Sequence, residues 1–205
     1  MPPFAQGVVR DLRVRWALEE AGIPYVERLV GAEDLGTPGY RALQPFGQVP
    51  AIETDTFKLF ESGAIVLHIA ESSEALMPQD PVGRSRTTAW IFAALNSIEP
   101  RVQALAELDL FHAKEAWAPL RRPGALTAVE KRLGDLEGWL GERPYLEDRF
   151  TAADLMMTTV MRILRGTDLI SVRPVLRDYQ QRCEERPAFQ KALADHLKPF
   201  AAPAA

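Results

Sequence analysis

Two neighbouring stretches carry the residues best suited to chemistry, Gln48-Val49-Pro50 and Glu61-Ser62. The first ends in a Val-Pro bond directly before a short apolar run, where proline either opens an edge strand or, in about 5 to 6% of folded X-Pro bonds, is cis. The second stands where one such run stops and a helical pattern starts. A helix start is a ready anion site because its amides are unpaired and its dipole is positive there. Ser62 could cap that helix with its hydroxyl, and Glu61 adds a carboxylate beside it. Positive charge comes from Arg10, Arg13 and Arg15 near the N-terminus. Other chemistries find no support. The histidines, His68, His112 and His196, are scattered, and there is no phosphate loop, dinucleotide fingerprint or Cys/His cluster spaced for a metal.

The elements that must position these residues follow from periodicity. Val9, Leu12 and Trp16 at helical spacing, with Gly22 as stop and Pro24 beyond, predict a first helix of roughly four turns. Residues 25–31 alternate as a strand would, and residues 32–46 read as a loop with one helical turn. "AIET" and "FKLF" form a hairpin around Asp55-Thr56, and a helix with Ile65, Leu67, Ile69 and Leu76 on its apolar side follows Glu61. His68, inside that run, is expected to be packed or partnered. After the polar, proline-bearing stretch 76–83, every pattern is helical. Expected helices cover 84–110, 126–140, 152–165, 175–185 and 188–196. Thr127 with Glu130, and Thr151 with Asp154, have the form of N-terminal caps.

Composition bounds the class. The chain has 205 residues, 47% hydrophobic and 25% charged, with a net charge of -4, which is ordinary for a globular protein and offers nothing to nucleic acid. The one cysteine, Cys183, cannot form an internal disulfide, and no window is apolar enough for a signal peptide or membrane span. A cytoplasmic protein is therefore expected.

"RVRWALEEAGIPYVERLV", "QPFGQVPAIETDTFKLFESGAIVLHIAE", "LMPQDPVGRSRTTAWI" and "RPYLEDRFTAADLMM" resemble successive landmarks of the cytosolic glutathione transferases, in order and across nearly the whole chain. The resemblance implies a thioredoxin-like, glutathione-binding domain over residues 1–75, a linker at 76–83 and an all-helical domain over 84–205. It implies a cis Pro50, so that Val49 offers its main chain to the cysteinyl part of glutathione as an added strand. Gln48 matches the position that reaches the glycyl end. Ser62 would bind the γ-glutamyl carboxylate, and Glu61 the α-amino group on the same carbon. Thr151 and Asp154 match a capping motif used in folding rather than catalysis. The resemblance also implies a homodimer and a small-molecule substrate, with no metal. The second substrate's pocket is expected to be apolar, with Phe4, Phe92, Phe111 and Trp117 as candidates.

One departure stands out. The family's first strand and the hydroxyl or thiol that meets the glutathione sulfur are not found, since no Tyr, Ser, Thr or Cys precedes Tyr25. Alignment on "ALEEAG" puts Val8, Val9 and Arg10 at the helper's place, and Pro2-Pro3 cannot donate to a central ladder. Either the first strand is missing, or a longer first helix displaces the loop and another segment fills the sheet. Arg10 is the first candidate to stabilise the thiolate, with Arg13 and Arg15 behind it, against a salt-bridged helix face as the ordinary alternative. Two functions follow: a glutathione-dependent transferase acting on a small apolar electrophile or peroxide, or a non-catalytic relative that binds glutathione or a partner.

Overall fold

Gly22 ends the first helix as its position in the sequence predicts, with φ 66° and amide bonds back to the last turn, a conformation that costs glycine no Cβ clash. In the computed structural model, which describes residues 5–201, that helix is α1 (Asp11–Ala21). It is shorter at its start than the expected four turns, because residues 5–10 form turns, with Val8 N–H donating to the Ala5 carbonyl. The chain continues through one helical turn, α2 (Pro38–Arg41), capped by Thr37, into the hairpin β1 (Ala51–Glu53) and β2 (Lys58–Phe60), and then α3 (Ser62–Glu71). The hairpin is antiparallel with Ala51 opposite Phe60 and Glu53 opposite Lys58, which leaves Asp55-Thr56 at its tip.

Residues 25–31 are not a strand, contrary to their alternation. Residues 23–30 are irregular, and Val26 is 98% exposed and Leu29 60% exposed. Alternation supplies only a face, whereas a strand needs a ladder for its N–H and C=O groups. Among the described residues the sheet has two strands, which pair with each other, and no other segment joins them.

The chain forms two compact units, residues 1–77 with 187–205, and residues 78–186. In the first, α1 is gripped by α3 and by the last helix, α9 (Pro187–Ala201). Six successive residues of α1, Leu12 to Ala17, are buried. Trp16 meets Phe189 edge-on at 4.7 Å, and Ile65, Val66 and Ile69 of α3 complete this core.

The second unit is all helical. The long helix expected over 84–110 runs as α4 (Pro81–Phe92), a π-helical stretch Ala93–Ile98 and α5 (Glu99–Phe111). Then come α6 (Ala118–Leu140), α7 (Ala152–Met161) with a 3₁₀ extension Arg162–Leu164, and α8 (Pro174–Glu184). Because α6 begins nine residues before Thr127, that residue caps nothing. Its hydroxyl donates to the Pro123 carbonyl inside the helix, the usual mid-helix alternative for threonine. Thr151 and Asp154 do form a capping box. Phe92, Phe111 and Trp117 of this unit are exposed, and Phe4 lies outside the described residues. No described helix is long and apolar enough to cross a membrane.

Candidate functional site

The hairpin register explains why Val49-Pro50 and Glu61-Ser62 meet. With Ala51 opposite Phe60, the residues just before β1 and just after β2 emerge at the same end of the hairpin, away from Asp55-Thr56. Paired strands lie about 4.8 Å apart, so the two stretches are neighbours although ten residues of hairpin separate them.

On one side the Val49–Pro50 bond is cis, as the family resemblance implies. The loop before it is pinned from within. Buried Gln44 accepts from the Phe46 and Gln48 amides at 2.7 and 3.2 Å, Arg41 donates to the Pro45 carbonyl, and the Tyr40 hydroxyl donates to the Gln48 carbonyl at 2.7 Å. Burial pushes the Tyr40 pKa up, which keeps that hydroxyl a donor. Gly47 makes the turn at φ 62°, where a Cβ would lie 2.7 Å from the Leu35 carbonyl oxygen. Val49 enters none of the main-chain hydrogen bonds among the described residues. Its amide and carbonyl are open to an added strand, while the Gln48 side chain is exposed at the rim.

On the other side, Glu61 precedes α3 at φ 68° and ψ 113°, the one non-glycine residue with positive φ among those described. Its carboxylate is exposed and caps nothing. That backbone costs on the order of 1 to 3 kcal/mol and persists only where its surroundings hold it. Ser62 follows in the first turn, 4% exposed, with its hydroxyl accepting from Arg13 Nη1 at 3.2 Å. The arrangement therefore offers an exposed carboxylate, the first amides of a ten-residue helix and a polarised hydroxyl within two consecutive residues.

The three arginines have different places. Arg10 stands at the N-cap position of α1, half-buried, with no side-chain capping bond. Arg15 is committed to structure. It donates to Asp11 at 2.7 Å and to Glu27, and these carboxylates raise its pKa against the effect of burial. Asp11 also meets His196 Nδ1 at 3.1 Å, and His196 Nε2 accepts from the Gly7 amide at 3.0 Å. Burial opposes the Asp11 charge, but His196 and Arg15 together hold its pKa below the ordinary value. Arg13, 2% exposed, is the arginine that the fold brings to Ser62. A salt-bridged helix face thus describes Arg15.

Remaining candidates serve packing. His68 is exposed and lies against Phe57 at 4.9 Å. Cys183 is buried, and burial pushes its pKa up to about 12, far from a usable thiolate. Asp154 accepts from the Leu146 and Thr151 amides and from the Tyr179 hydroxyl, which ties α7 to α8. Among the described residues no cluster of His, Cys, Asp and Glu could hold a metal ion.

Against known proteins, residues 12–72 match the model of the glutathione S-transferase N-terminal domain. A glutathione S-transferase from Hyoscyamus muticus is 32% identical, over 74% of this chain and 76% of that protein. A maleylacetoacetate isomerase from Rhizobium meliloti is 31% identical, over 91% and 92%. Among solved structures, a glutathione transferase from Burkholderia graminis, with two glutathione molecules bound per subunit, superposes with a TM-score of 0.82 at 28% identity, over 94% of this chain and 85% of that one. The likeness bears out the expected fold class, a thioredoxin-like N-terminal domain and an all-helical one, with a reduced sheet.

Proposed function

The chain belongs to the glutathione transferase family, and from that membership we propose that it is a glutathione-dependent transferase acting on a small apolar electrophile or peroxide. The observation that carries the reading is the hairpin end, where the open main chain of Val49 and the Glu61-Ser62 helix start lie side by side. In this reading the cysteinyl residue of glutathione pairs with Val49 as a short added strand. Ser62 donates to the γ-glutamyl carboxylate, and Glu61 accepts from the α-ammonium on the same carbon. A simple anion would have no use for Glu61. Gln48 reaches the glycyl end from the rim.

For the chemistry, the thiol must become a thiolate, since a free cysteine thiol has a pKa near 8.5. In this reading the negative sulfur is met by Arg10, at the N-cap position of α1, and by the positive end of that helix's dipole. An opposite charge within about 4 to 6 Å lowers a pKa by 1 to 3 units. The thiolate attacks the electrophilic atom, forming the carbon–sulfur bond as the leaving group departs or a strained ring opens. Homodimerisation and a place among soluble proteins of the cell belong to the same proposal.

The test is retention on immobilised glutathione followed by turnover with aryl halides, epoxides, peroxides and maleylacetoacetate. The last is included because the isomerase relative matches over more of the chain than the plant transferase does. Retention with no turnover would favour the non-catalytic alternative, and absence of retention would overturn glutathione binding itself.

A further inference from the structure

Arg13 is the most deeply buried arginine of α1, and it meets the residue most suited to hold a carboxylate. Its guanidinium donates to the Ser62 hydroxyl at 3.2 Å. The residue is 2% exposed and Ser62 is 4% exposed. A guanidinium is charged at every accessible pH, and carrying it into such a place has a large desolvation cost. For a hydroxyl, the direction of this bond decides what it can do next. Because Arg13 donates, the serine oxygen is the acceptor, and its own hydrogen is left to point elsewhere. A hydroxyl that accepts from a cation is also a stronger donor. The same spot receives the amides of the first turn of α3, so hydroxyl hydrogen, amide dipoles and cation act in one direction.

We infer that Arg13 is a positioning residue for the α-carboxylate of the γ-glutamyl group: acting through Ser62, it orients the hydroxyl toward the ligand and supplies the positive potential that makes this subsite select a carboxylate. The inference rests on the glutathione reading of the site and adds to it the source of its charge. It also divides the labour of the helix. Arg15 is consumed by Asp11 and Glu27, Arg10 stands at the helix start near the expected sulfur, and Arg13, one turn inward from Arg10, serves the opposite end of the ligand's first residue.

The experiment compares two ligands, glutathione and γ-aminobutyryl-cysteinyl-glycine, which lacks only the α-carboxylate, by titration calorimetry on the whole protein. The parent is expected to bind glutathione more tightly than the analogue. Arg13→Met should weaken glutathione by roughly ten- to a hundredfold, the range for a hydrogen bond to a charged group, and leave the analogue unchanged. Arg13→Lys, which keeps the charge but loses the planar fork, should recover part of the glutathione affinity. If Arg13→Met does not fold, Arg13→Lys carries the comparison alone, with weakening confined to glutathione as the supporting result. Equal weakening of both ligands, or none, would assign Arg13 to packing and overturn the inference while glutathione binding stands. A parent that binds neither ligand would overturn the glutathione reading together with it.

Discussion

Replacing Glu61 with glycine is expected to strengthen the fold and weaken glutathione binding at once. Glu61 holds φ 68° and ψ 113°, a backbone that costs a residue with a Cβ on the order of 1 to 3 kcal/mol and that glycine adopts freely. Against this, glycine loosens the unfolded chain by about 0.4 to 1 kcal/mol. The carboxylate is exposed and caps nothing, so no native contact is lost. The net gain is about 0 to 2.6 kcal/mol, centred at about 1.3 kcal/mol, which raises Tm by roughly 3 to 5 °C for a chain of this size. Binding moves the other way. Loss of the carboxylate that receives the α-ammonium removes about 1.5 to 3 kcal/mol of affinity. Glu61→Ala separates the two effects, because it discards the carboxylate yet keeps a Cβ in the strained region. It should lose affinity like glycine and gain no stability. Calorimetric melts of the ligand-free proteins and titrations with glutathione read both quantities. A glycine variant that melts no higher than the alanine variant would refute the strain argument, and parental affinity in both would remove Glu61 from the site.

Ser62→Ala should bind glutathione roughly ten- to a hundredfold more weakly with an unchanged circular dichroism spectrum, and equal affinities would make Ser62 an ordinary first-turn residue. Cys183, with its pKa pushed up to about 12 by burial, should resist iodoacetamide at pH 8 in the native protein and react once it is unfolded. Modification of the native protein at the unfolded rate would contradict its placement. For Asp154, burial outweighs its donors and raises the pKa from 3.8 to about 6. A raised folded pKa means stability present below about pH 4 and lost as pH rises through 6, by about 3 kcal/mol for two pKa units. The unfolding free energy of the parent relative to Asp154→Asn, which does not titrate, should fall across that window, and a flat difference would contradict the shift.

Local signals in the sequence were sufficient where the chain settles its own geometry. Gly22 before Pro24 stops α1, Asp55-Thr56 turns the hairpin, and Thr151 with Asp154 starts α7. They failed where a partner decides. Residues 25–31 alternate, but without a neighbouring ladder they make no strand. Thr127 has a capping pattern, yet α6 tolerates Pro123 and begins earlier, so the hydroxyl turns back on its own helix. The pinning of the Gln48 carbonyl by Tyr40, and of two amides by Gln44, had no signature, since each depends on how the loop folds on itself. Arg13 was readable in part. It lies three and four residues before Trp16 and Ala17, on a face that must be buried, but only the packing of α3 against α1 shows that its partner there is Ser62.

The central claim is that the two stretches at the open end of the hairpin form one glutathione site. A nitrogen-15 amide titration of the protein with glutathione tests it most directly. The account requires the Val49 and Ser62 amides to shift together along a single saturation curve, while the Leu146 and Thr151 amides that Asp154 holds in the helical unit stay in place. Glutathione that binds without moving Val49 and Ser62, or that moves them with different affinities, would contradict it.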